Sequence, residues 1–139
     1  MGAVRPKNSL PDDIREIAIS RPALINRAWF EWNAHVPILL KSAGFTEEKM
    51  NVVKQLHPKE QGALDDRQWA VLRFADAMTR EIVVPQNLFD EVKAAGFTQQ
   101  QIVELTATVA SYNMVSRFLV ALDVAEENNK SPKYPIVEN

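Results

Sequence analysis

The sequence predicts an all-α, single-domain protein of about six helices, and three observations carry that prediction. Apolar residues recur at spacings of three and four along most of the chain, and period-2 runs of β-branched residues are nearly absent. Proline, glycine and polar clusters punctuate the chain at intervals that suit helices of ordinary length. At 139 residues there is room for one core and not for two. Residues 1–10 and 129–139 lack periodicity and carry prolines, so an irregular arm and an irregular tail are expected around a helical domain at 11–128.

Taking the elements in order, a first helix is expected from about Asp12 to Ser20. Pro11 suits a helix start, Asp12 and Asp13 complement the helix dipole, and Pro22 closes it. A second, from about Pro22 to Ala43, places Ile25, Ala28, Trp29, Trp32, Val36, Leu39 and Leu40 on one stripe, which requires a core to face. Pro37 lies inside this helix, has no N–H for the carbonyl of Asn33, and predicts a kink there. The third helix is expected from Thr46 to about Leu56. The fourth, from Asp65 to about Arg80, keeps Trp69, Leu72 and Ala75 in helical spacing. Pro58 and Pro85 mark loops, a fifth helix covers Pro85 to Ala95, and a long sixth runs from Thr98 to about Asn128.

One device occurs twice. Lys41-Ser-Ala-Gly-Phe-Thr46 is echoed by Lys93-Ala-Ala-Gly-Phe-Thr98. Gly44 and Gly96 suit the left-handed residue that ends a helix, Phe45 and Phe97 pack back on it, and Thr46 and Thr98 cap the next one, with Gln101 completing a capping box. The echo is architectural, whether it arose by duplication or by independent use of one connection.

Composition excludes several functions. A net charge of -2 with both signs spread along the chain offers no basic stripe for nucleic acid and no polybasic patch for a membrane surface. No apolar run has the length a bilayer needs, and Met1–Leu10 lacks the hydrophobic region of a signal peptide, so a cytoplasmic location is expected. The absence of cysteine removes thiolate nucleophiles, disulfides and Cys-ligated metals together. With His35 and His57 as the only histidines, neither a metal nor another cofactor is expected. A metal held by Glu16, Glu31 and His35 with help from a second subunit is the outlying alternative.

The chemistry must then rest on carboxylates and one imidazole. Glu31 and His35, four apart on the second helix, share a face and can meet, which favours imidazolium and fixes the ring. Trp29, Trp32 and Val36 flank them with apolar surface, and Trp29 and Trp32 are candidate walls for a substrate. Glu16, followed by apolar residues on the first helix, is a candidate to point inward. On the sixth helix Asn113 and Arg117 stand one turn apart in an apolar stretch. They could hold a carboxylate or carbonyl of a ligand, or serve helix–helix or subunit hydrogen bonding. His57, beside Pro58 in a polar loop, is expected in solvent.

Taken together, Arg15-Glu16-Ile-Ala-Ile, then Ala28-x-x-Glu31-x-x-x-His35, then a glycine at the helix end, resembles the carboxymuconolactone decarboxylase and alkylhydroperoxidase D (AhpD) superfamily, over about Leu10 to Asp123. In the peroxidase branch a glutamate precedes a Cys-x-x-Cys-x-x-x-His motif, and Glu16, Ala28, Glu31 and His35 stand at those positions. With no cysteine, thiol peroxidase activity is excluded. The decarboxylase branch carries Glu-x-x-x-His on this helix, which Glu31 and His35 match. The resemblance implies an AhpD-like helical fold, and a homo-oligomer, trimer or hexamer, with the site near a subunit boundary. The Glu31–His35 pair beside an apolar wall points to a cofactor-free decarboxylase, hydro-lyase or isomerase acting on a small oxygenated carboxylate or lactone. His35 would be the acid–base, Glu31 would orient it and Glu16 would relay protons. The alternative is a non-catalytic member that uses the same cavity to bind a small molecule or a partner.

Overall fold

The first helix, α1 (Asp12–Ile25), is the hub of the protein in the computed structural model, which describes residues 9–139. Of the expected N-terminal arm, residues 1–8 lie outside the described residues. α1 is followed by α2 (Trp29–Leu40), α3 (Glu47–Val53), α4 (Asp66–Glu81), α5 (Gln86–Ala94), α6 (Gln99–Ala121) and a 3-10 turn at Val124–Glu126. α1 packs against α2, α4 and α6 at once, and α4 packs in turn against α5 and α6. A helix enclosed on three sides must be apolar nearly all round. The run from Glu16 to Leu24 is accordingly buried throughout, including its three polar members Glu16, Ser20 and Arg21.

The first helix does not stop before Pro22. It runs through that proline to Ile25, and the chain turns only at Asn26–Arg27–Ala28. The turn is a Schellman closure: the N–H of Ala28 donates to the carbonyl of Ala23 and the N–H of Arg27 to that of Leu24, with Arg27 at φ 56°. Glycine is the usual residue at that left-handed position, so an arginine there gave no signal of a break, while Pro22 gave a false one. The Asn26 side chain holds the turn in place by donating to Asn113 Oδ1 and Ser116 Oγ on α6. The expected second helix therefore loses its first turns, and Ala28 is the residue that caps it. It also ends at Leu40, and Pro37 lies inside it.

The repeated connection forms both times. Gly44 and Gly96 adopt φ 75° and 94°, Phe45 and Phe97 are buried, and Thr46 and Thr98 accept from the backbone N–H of Lys49 and Gln101. The Thr98–Gln101 capping box is complete, and a second box at Asp65–Gln68 opens α4. α6 is shorter than expected and ends at Ala121.

After the 3-10 turn, residues 129–139 are irregular and lie against the body of the protein. The Trp32 indole N–H donates to the carbonyl of Tyr134, and the N–H of Lys133 to Asn33 Oδ1. Val137 makes an isolated parallel bridge with Gln55, and Asn139 bonds to the backbone of exposed His57. Among the described residues no helix is long and apolar enough to cross a membrane.

A fully buried arginine locks three elements together. Arg21 on α1 makes a two-pronged pair with Asp76 of α4 at 2.8 and 2.7 Å and donates to the carbonyls of Val53, Gln55 and Leu56 at the end of α3. Every donor direction of the planar guanidinium is used, which is what makes a buried charge tolerable.

Candidate active site

Glu16 on α1 and Glu31 and His35 on α2 converge. Because α1 is the enclosed hub and α2 packs on it, Glu16 has no route to solvent and points at the neighbouring helix. The four-residue spacing of Glu31 and His35 puts both on the face that receives it. Glu16 Oε2 lies 2.7 Å from His35 Nδ1, and Glu31 Oε2 lies 3.0 Å from Nε2. The imidazole is thus held at both nitrogens by carboxylates, a clamp that only a protonated ring satisfies with two N–H donors.

Burial by itself disfavours the charged ring. The hydrogen bonds to Glu16 and then Glu31, with the negative charges of the two, outweigh it, and the His35 pKa is raised from its ordinary 6.5 to about 9. At neutral pH the ring is an imidazolium. Exposure falls inward through the set, with the side chain of Glu31 14% accessible, that of His35 8% and that of Glu16 0%. Glu31 is the member that a ligand would meet first.

Two further residues complete the surroundings. Tyr112 of α6 sets its ring edge-on to His35, with centroids 5.5 Å apart and planes at 79°. Arg15 places Nε 3.8 Å from Glu16 Oε1 while its NH2 donates to Asp12 Oδ1 at 2.7 Å. A cation next to the inner carboxylate eases the burial of its charge. Among the described residues no group of three His, Asp or Glu is arranged to hold a metal ion.

The remaining candidates make contacts of their own. Trp32 is fully buried and its indole pins the tail, while Trp29, 5% exposed, borders a shallow groove of about 430 Å³ between Arg27 and the residues Ser131–Glu138. Asn113 and Arg117 are brought together. Asn113 Nδ2 donates to Thr79 Oγ1 of α4 and to the carbonyl of Val109, and Asn113 Oδ1 accepts from Asn26 and from Arg117. These hydrogen bonds tie α6 to α4 and to the α1–α2 turn.

Sequence reasoning did not single out Tyr112, Arg15 or Arg21. Tyr112 stands in the same run as Asn113 and Arg117, and Arg15 is adjacent to Glu16, so adjacency was the only signal for either. Arg21 had a clearer one, a lone charge inside the apolar run Ile17–Leu24.

No protein-family profile matches the chain, and no curated protein matches its sequence. The architecture does match a solved structure. A crystal structure of a protein of unknown function from Agrobacterium tumefaciens, provisionally described as the antioxidant defence protein AhpD, superposes with a TM-score of 0.75 at 22% sequence identity, covering 88% of this chain and 82% of that one. At that identity the likeness speaks for architecture and not for chemistry. The protein carries an AhpD-like all-α fold, built without the cysteines on which thiol peroxidase chemistry depends.

Proposed function

We propose that the protein is a cofactor-free acid–base enzyme, a decarboxylase, hydro-lyase or isomerase that acts on a small oxygenated carboxylate or lactone. The observation that carries this reading is the buried imidazolium clamped between two carboxylates, one sealed and one reaching toward solvent. The geometry favours a division of labour different from the one the spacing suggested. With both ring nitrogens engaged, His35 presents no lone pair, so Glu31 is the group that exchanges a proton with the substrate. His35 is the reservoir behind it, and Glu16 balances the charge as the proton moves.

Such a set works in either direction. The Glu31 carboxylate can remove a proton from a carbon beside a carbonyl and return it to another position, which migrates a double bond, or return it to a leaving hydroxyl, which releases water. In a decarboxylation the C–C bond to the carboxylate breaks, its electron pair remains as an enolate, carbon dioxide departs, and the proton delivered to carbon comes through Glu31 from His35.

The test is product formation from a panel of β-keto, vinylogous and lactone acids in deuterated water, read by mass spectrometry for lost carbon dioxide, lost water and gained deuterium. Wild type is expected to convert at least one compound, and Glu31→Gln and His35→Gln to lose about 100-fold or more. Undiminished turnover in His35→Gln defeats the proposal. So does tight binding of panel compounds that are all recovered unchanged, which instead supports a binding member of the same fold.

A further inference from the structure

Among the described residues, the outer face of α6 is apolar and uncovered. Val103, Met114, Phe118 and Leu122 are 67%, 63%, 60% and 64% exposed, with Ala107 and Ala110 exposed between them. Spacings of four, three, four, four and four keep them on one stripe about 28 Å long, and no charged residue occurs from 105 to 116. Side chains this exposed present on the order of 600 Å² of apolar surface, at the upper end of what monomers leave open and near the ~800 Å² per partner of a standard interface.

The stripe reads the same in both directions. About the peptide joining Ala110 and Ser111, Val103 and Phe118 are equidistant, and so are Ala107 and Met114. A second α6 laid antiparallel across it sets each Val103 against a Phe118 and each small Ala107 under a Met114, while Ala110 and Ser111 at the centre allow close approach. We infer that this face is a two-fold contact between copies of the chain, formed by antiparallel packing of α6 on α6. The inference is independent of the acid–base reading, since it uses the face of α6 opposite Tyr112. An isologous contact of this kind makes a dimer, or an even-numbered assembly where another interface operates as well; it does not make a trimer.

Because the chain has no cysteine, one introduced thiol reports one geometry. Ala110→Cys, at the two-fold, is expected to form a covalent dimer on mild oxidation. Val103→Cys alone is expected to stay monomeric on a denaturing gel, since the two copies would lie roughly 22 Å apart along the paired helices, beyond the reach of a disulfide. Mixed with Phe118→Cys it is expected to cross-link. Sedimentation velocity on the full chain is expected to show a dimer or a multiple of one, which Met114→Glu reduces to a smaller species. Far-UV circular dichroism unchanged by Met114→Glu would show that the helices remain and only the contact is lost. A monomeric or trimeric wild type overturns the inference, as does an assembly indifferent to Met114→Glu. Self-cross-linking through Val103→Cys, or none through Ala110→Cys, overturns it equally.

Discussion

Raising the pH from 6.5 to 9.5 removes one buried proton from this protein, and the geometry sets the size of the effect. His35 moves from 6.5 in the unfolded chain to about 9 in the folded one, held there by Glu16 and Glu31 against the opposing cost of burial. At 1.36 kcal/mol per tenfold change in proton affinity, that displacement corresponds to about 3 kcal/mol of folding free energy. The folded state binds the proton more tightly, so the contribution is fully present below about pH 6.5. It declines as the unfolded chain ceases to hold the proton, and it is lost as the pH passes through 9. Urea unfolding followed by tryptophan fluorescence at half-unit steps measures it directly. Wild type is expected to lose about 3 kcal/mol across the window, and His35→Gln to show a flat profile over the same range. Proton NMR provides the site-specific check, since His57 is the only other imidazole in the sequence to assign. A His35 ring that titrates below pH 7, or a wild-type stability that does not fall between pH 6.5 and 9.5, would refute the clamp as drawn.

Two further outcomes follow from the structure. Arg21→Met strands Asp76 and removes the donors to three carbonyls, and is expected to cost about 3–5 kcal/mol in a urea melt; combining it with Asp76→Leu recovers much of that loss, because the price of an unpaired buried charge disappears. Ile82 ends α4 in a tight turn at φ 70° and ψ -55°, with the N–H of Val83 bonded to the carbonyl of Glu81, a conformation costly for a β-branched residue. Ile82 is 83% exposed, so Ile82→Gly sacrifices little packing and is expected to raise stability by about 1 kcal/mol in differential scanning calorimetry; a fall in melting temperature would contradict that account.

The elements that the sequence determined by itself are those whose cause is local. Helical spacing, the two glycine–phenylalanine–threonine connections and the Glu31–His35 pair each depend on residues within a turn or two of one another, so their physics is complete before the chain folds. Cysteine content is legible in the same way, because thiol-based chemistry cannot proceed without its thiolate. The boundary between α1 and α2 was not legible. Its cause is a left-handed Arg27 held by Asn26 reaching α6, and neither residue announces a break from its own chemistry. Asn113 and Arg117 were recognisable as polar groups in an apolar stretch that would want partners, yet which partners they took was decided by the approach of α4 and of the α1–α2 turn. The same holds at the candidate site. That Glu31 and His35 touch was written in their spacing, but Glu16 reaches the opposite ring nitrogen only because α1 is enclosed on three sides and α2 packs against it. Glu31 favours the protonated ring from within its own helix, but the first-ranked raising contribution comes from Glu16, so the full rise of the His35 pKa against the cost of burial needs the assembled helices.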